Sequence, residues 1–301
     1  MKNKKQLSLG LLLSVMILSQ GMILAQNTGE DALPIKFEEL TSSDFIKAVE
    51  LSGGTCIIPL GIMEKHGAHL PLGTDLYIAR DLAMRAAGEE YTVVFPEYYV
   101  GQIFEAKHQP GTISYSDETI WNLLDETCME LARNGMKKII LVNGHGGNTL
   151  FLQYFCQAQL EKKKDYCVIL FSPDRRIIMP EVNKLRKNPA GGHAGDMETG
   201  MMLNIRPDLF HKERVGEQSG ENLDRLKDVP YAYTGIWWYA RYPNHYAGDA
   251  SIPSTEAGEL MLSMQASQLI ELIRILKENN DILDLQNLFF KDSKNPLNTE
   301  Q

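Results

Sequence analysis

Few cysteines, no Cys-x-x-Cys pair, no internal repeat and no low-complexity linker mark this sequence, and its 30 basic residues are outnumbered by 39 acidic ones. Each shortage excludes something. The four cysteines have neither metal nor redox spacing. Cys56 and Cys167 sit in strand-like apolar runs and Cys128 and Cys156 in helix-like ones, so buried free thiols are expected. After the first 25 residues no stretch is long and apolar enough to span a bilayer. Without repeats or linkers, a solenoid or a string of tethered domains is excluded. The acidic surplus would repel phosphates, which makes nucleic acid a poor partner.

The N-terminus reads as an address. Lys2, Lys4 and Lys5 precede an apolar run over residues 7–18, and Ile23-Leu24-Ala25 forms a small-residue cleavage site before Gln26. Ser14, Ser19, Gln20 and Gly21 interrupt the run, which is short for a membrane anchor, and no cysteine near the cleavage point invites a lipid. The expectation is a signal peptide over 1–25 and a periplasmic or secreted protein with no membrane attachment after cleavage. Removing three lysines and no acids takes the formal net charge from −9 to −12. With 44% hydrophobic residues the remainder can bury one large core. A single domain is expected over 26–280, followed by a polar tail over 281–301.

Hydrophobic patterning predicts strands over 55–60, 93–96, 138–142 and 166–171. Helices are predicted over 75–87, from a Ser116 N-cap to Gly135, and over 148–162, 197–205 and 254–277. Residues 229–248 read as an aromatic, loop-rich stretch. The strand-helix-strand rhythm implies an α/β protein with a mainly parallel sheet covered by helices on both faces.

Ligand-type residues gather at the strand ends, where parallel sheets collect their ligands. Glu64, His66, His69 and Asp75 follow the first strand. In extended chain, residues 64 and 66 point to one side, and Asp75 returns there at the head of the next helix. Two carboxylates and an imidazole suit zinc, manganese or iron(II). A second group, Asn143-Gly-His145-Gly-Gly147-Asn148, follows the third strand, and its position favours a metal-ligand role for His145. A third, His193-Ala-Gly-Asp196-Met-Glu198-Thr, starts a helix. Acids there also serve the helix dipole, which leaves Asp196 open between site and cap.

The run E-x-H-G-x-H-L-P-L-G-T-D, then N-G-H-G-G-N, then H-A-G-x-x-E-T, in that order, resembles the creatininase family of amidohydrolases. The likeness covers most of residues 55–199 and is weak over 205–301. It implies a three-layer α/β/α sandwich, two divalent metal ions with zinc first, and hydrolysis of a carbon–nitrogen bond in a small-molecule amide. It also implies self-assembly, since relatives form ring-like hexamers. Carried over residue by residue, Glu64 and His145 would hold one metal, His66 the other, Asp75 would bridge them, and His193 would transfer the proton.

The departures are as informative. Gly147 stands where creatininase has a metal-binding glutamate, so Glu198 is expected to complete the second ion's shell. Pro173 and Pro189 replace two tryptophans that enclose creatinine, which argues against creatinine as substrate. His69 is a candidate for orienting a ligand, and His108 for the pocket rim. Two rival readings stand beside the amidase: a peptidase like the branch that trims the mycofactocin precursor, with Trp237, Trp238 and Tyr239 as an aromatic wall, and a non-catalytic binding protein that keeps the fold.

Overall fold

A computed structural model describes residues 32–188 and 192–298. The signal peptide read over 1–25 and Pro189 lie outside the described residues. The elements run α1 (Ser42–Leu51), β1 (Thr55–Leu60), α2 (Thr74–Glu89), β2 (Val93–Val94), α3 (Asp117–Arg133), β3 (Lys138–Asn143), α4 (Asn148–Ala158), β4 (Cys167–Leu170), α5 (Arg175–Leu185), α6 (Asp196–Ile205), α7 (Trp237–Arg241), α8 (Thr255–Glu278) and α9 (Asp281–Asp292).

The four strands form one parallel sheet in the order β2-β1-β3-β4. Strand alternation divides the core into two faces. Cys56, Ile58 and Leu60 of β1 with Ile139 and Leu141 of β3 pack against Ala48 of α1, Ile120, Leu124 and Leu131 of α3, and Leu152 and Phe155 of α4. Ile57, Ile140 and Val142 face the other way, onto Leu82, Ala83 and Ala86 of α2 and Ala266, Leu269 and Ile273 of α8. The architecture is the three-layer α/β/α sandwich expected from the motifs.

Local signals explain most boundaries. The Ser116 hydroxyl accepts from Thr119 N–H and caps α3, a contact worth about 1 kcal/mol. All four cysteines are free, three of them buried and Cys156 half-buried. Burial pushes all four thiols up, which keeps them protonated and unreactive.

One expectation is corrected. The segment read as a polar tail from residue 281 is helical over Asp281–Asp292. Phe290 is buried, and the Gln286 side-chain amide donates to the Tyr166 carbonyl at 2.9 Å, tying α9 to the chain entering β4. Its Asp and Lys content hid a helical spacing of inward positions through Leu283, Gln286 and Phe290. Among the described residues no helix is long and apolar enough to cross a membrane.

Candidate metal centre

Glu64 and His66 leave the carboxyl end of β1, His145 leaves that of β3, and Asp75 opens α2. Two glycines make their meeting possible. A Cβ on Gly61 would lie 2.4 Å from Leu76 N, and one on Gly144 would lie 2.4 Å from the Asp75 carbonyl, so only glycine lets the start of α2 settle between the two strand ends. A glycine at such a turn can also let the backbone approach a bound ligand. At Gly144 the close neighbour is instead the chain's own helix.

All four side chains are buried, and their polar atoms converge. Asp75 divides its carboxylate: Oδ1 lies 3.1 Å from His66 Nε2 and Oδ2 lies 3.1 Å from His145 Nδ1. Glu64 Oε1 lies 2.9 Å from His145 Nδ1 and 3.8 Å from His66 Nε2. From α6, Glu198 Oε2 approaches to 3.8 Å from His66 Nε2. His193 Nδ1 stands 3.9 Å from Glu64 and 3.8 Å from Glu198. Ligand atoms held at about 2.1 Å around one ion are themselves about 3 to 4 Å apart, the spacing found here.

The hydrogen bonds set which ring nitrogens carry lone pairs. His66 Nδ1–H donates to the Glu64 carbonyl at 3.3 Å, which turns Nε2 toward the carboxylates, where it meets Asp75 Oδ1 at 3.1 Å and an ion could displace its proton. His193 Nε2–H donates to the Lys65 carbonyl at 2.8 Å, leaving Nδ1 bare and inward. Glu64 Oε1 and Asp75 Oδ2 are buried with no hydrogen bond among the described residues, although His145 Nδ1 is close to both. Lone pairs that meet without alignment suit a shared cation better than a shared proton.

Charge in the site follows from this crowding. Burial would raise the Glu64 carboxyl, but the charge of His145 beside it outweighs this and holds the group well below the usual carboxylate range. Burial would lower His145, and Glu64 and Asp75 instead push it well above 6.5. His66 is likewise raised to about 9, against the pull of burial, by Asp75 and then Glu64 and Glu198. Burial drives His193 the other way, well below its ordinary value, so it stays neutral. Glu198 is lifted to about 7 by burial, partly offset by His66. A buried charge costs several kcal/mol unless paired, and a dication compensates these carboxylates better than protons on two histidines.

The other expected residues fall outside this cluster. Asp196, three residues from His193, is fully buried in a fork with Arg186 at 2.5 and 3.0 Å and accepts from the Ser254 hydroxyl at 2.8 Å, so it ties α6 to its neighbours. His69 donates through Nε2 to the Ala194 carbonyl at 3.0 Å, holding the turn before α6 where Ala194 takes φ 56°. Glu198 accepts from Ala194 N–H at 2.5 Å in the same turn. His108 is exposed and donates to the Pro243 carbonyl at 2.8 Å, anchoring the aromatic segment rather than facing the cluster. Trp238 stands edge-on to His193, ring centres 5.8 Å apart, while Trp237 packs under Arg241 and Tyr239 against His108 and Arg225.

His245 is the residue the sequence reading missed. It is buried, hydrogen-bonds through Nε2 to Glu64 Oε2, and lies 4.5 Å from His193 ring to ring. It sits at no strand end and in no motif, so only its aromatic neighbourhood set it apart.

The family model described as creatinine amidohydrolase matches residues 38–273. The chain belongs to the creatininase family. Members of this family are metal-dependent amidohydrolases, and this chain is a hydrolase of that kind. It is 26% identical to creatinine amidohydrolase of Pseudomonas putida over 253 residues, 78% of this chain and 95% of that one. It is 32% identical to the mycofactocin precursor peptide peptidase of Mycolicibacterium smegmatis over 162 residues, 50% of this chain and 58% of the other. A solved creatininase variant of Zn–Zn type superposes with a TM-score of 0.69 at 24% identity, covering 81% of this chain and 99% of that structure, which speaks for the fold.

Proposed function

We propose that this creatininase-family protein is an exported enzyme that hydrolyses a carbon–nitrogen bond in a small amide or cyclic amide other than creatinine, holding two divalent cations, zinc first. The observation that carries the two-ion reading is the divided carboxylate of Asp75, one oxygen toward His66 and the other toward His145. Glu64 and His145 would hold one ion, His66 and Glu198 the other, with Asp75 between. Together such ions supply Lewis acidity and a water acidified toward neutral pH, which can lower a hydrolytic barrier by several kcal/mol.

The chain's own part is proton handling and placement. His193 is kept neutral by burial and held by Lys65, so its bare Nδ1 can take up a proton beside Glu64 and Glu198 and return it to the departing nitrogen. Export rests on the leader pattern of residues 1–25. Creatinine is disfavoured because the sequence has proline at 173 and 189, where the resemblance to creatininase calls for two enclosing tryptophans.

A second reading, peptide hydrolysis, is favoured by one feature. Tyr231 and Tyr233 are exposed on the segment that leads to Trp238, an open aromatic approach suited to an extended substrate.

The test is a product screen of the zinc-reconstituted protein with cyclic amides, formamides, creatinine, and blocked and free dipeptides. Turnover confined to small amides supports the proposal. Turnover confined to peptides establishes the second reading, and efficient conversion of creatinine refutes the exclusion. Glu198→Gln should lower turnover about a hundredfold and weaken one ion. If both ions stay and only the pH profile moves, Glu198 orients His193 instead.

A further inference from the structure

The Trp238 indole N–H lies 2.8 Å from His245 Nδ1, and His245 Nε2 reaches Glu64 Oε2. An indole nitrogen donates and never accepts, so the nitrogen it faces must carry a lone pair. A neutral His245 therefore bears its hydrogen on Nε2 and donates it to Glu64. That tautomer cannot ligate through Nε2, although Glu64, His193 and His245 are close enough together to hold an ion.

We propose that His245 is a positioning residue: locked by Trp238, it fixes Glu64 through Oε2 and leaves Oε1 as the single oxygen for the metal ion. Oε1 is the atom that faces His145 Nδ1 at 2.9 Å. The device comes from the segment where the family motifs are absent, and the backbone is shaped for it. His245 takes φ 51°, a left-handed conformation that few side chains adopt. It is anchored on both sides, by its own N–H to the Tyr242 carbonyl at 2.9 Å and by Ala247 N–H to the His193 carbonyl at 2.9 Å. Trp238 thus links the wall beside His193 to the geometry of Glu64.

The inference rests on the proposed metal site, and the test separates the two. Zinc affinity is measured by chelator competition for the full protein and for Trp238→Phe and His245→Asn. Phenylalanine keeps an aromatic ring but removes the donor, and asparagine tolerates the left-handed backbone while losing the reach to Glu64. The ring-nitrogen signals of 15N-labelled histidine are recorded in parallel on the metal-free proteins.

The expected result is two zinc ions in every form, affinity about 10- to 100-fold weaker in both variants, and unchanged unfolding midpoints of the metal-free chains. The His245 signal should be that of an Nε2–H tautomer in the parent and should shift in Trp238→Phe. Unchanged affinity in His245→Asn overturns the positioning role. Loss of a whole ion in that variant makes His245 a ligand and overturns it too. Failure of the parent to bind zinc defeats the metal reading, while an Nδ1–H tautomer defeats this inference independently.

Discussion

Two regions build this site in different ways. Residues 55–148 place Glu64, His66, Asp75 and His145 from the ends of β1 and β3 and the head of α2, elements whose positions follow from a packed parallel sheet. Residues 219–248 place Trp238 and His245 from a connection with one short helix, α7, pinned by scattered bonds such as Leu223 N–H to the Arg241 carbonyl and Gly248 N–H to the Gly220 carbonyl, both 2.9 Å. The first region fixes where charge converges, and the second decides what surrounds it. The number of ions held should therefore be set by the sheet ends together with Glu198, while the loop tunes their affinity and the choice of substrate.

The largest effect is expected at the sheet ends. Asp75→Ala removes the oxygens facing both His66 and His145, so both ions should be lost and activity should fall by at least about a thousandfold. Metal content of the purified variant checks it. Retention of two ions would mean that His193 and the loop's His245 hold them without Asp75, and would break the comparison.

Next comes a separation within the third motif. Asp196→Ala leaves the half-buried Arg186 unpaired and should cost about 3 kcal/mol in urea unfolding, with ion content per folded chain unchanged. Its neighbour two positions on, Glu198, should show the opposite pattern, losing an ion at little cost in stability.

A smaller effect follows from protons. His66 titrates at about 9 in the metal-free fold and near 6.5 when unfolded. Its folded pKa is raised, so the stability it contributes is complete below about 6.5 and is lost as pH rises through about 9. His145, raised as well, acts in the same sense. The chelated protein should thus lose up to a few kcal/mol between pH 7 and 9. With zinc present the loss should vanish, because ions replace these protons. Urea midpoints at the two pH values, with and without zinc, measure it.

The smallest effect is expected in the loop's anchoring. His108→Ala removes an exposed donor to Pro243, while Gln109 still donates to the same carbonyl at 2.7 Å. Stability should change by no more than about 0.5 kcal/mol. A larger loss would mean that the loop is part of the frame.

The sheet and the polar residues gathered at its ends were legible in the sequence because each is written locally. Ile57 and Ile58 in a continuous apolar run mark a buried strand, and Glu64, His66 and Asp75 lie within twelve residues of one another. Glu198 was singled out by its spacing to His193, and the fold brings it to 3.8 Å from His66 Nε2. What could not be read is what distant chain supplies. α5 carries an internal Pro180 that masks its helical pattern, and α1 is short with one buried residue. His245 meets Glu64 across 181 residues, through a left-handed turn that no periodicity encodes. Asp196 looked like a ligand or a cap because its partner Arg186 lies beyond the motif, on the chain leaving α5.

The most direct measurement is elemental analysis of the purified protein, as isolated and after reconstitution with zinc or manganese. Two divalent ions per chain, falling to none in Asp75→Ala, are expected of a carboxylate shared by two cations. A protein that holds no ion after reconstitution would contradict the account.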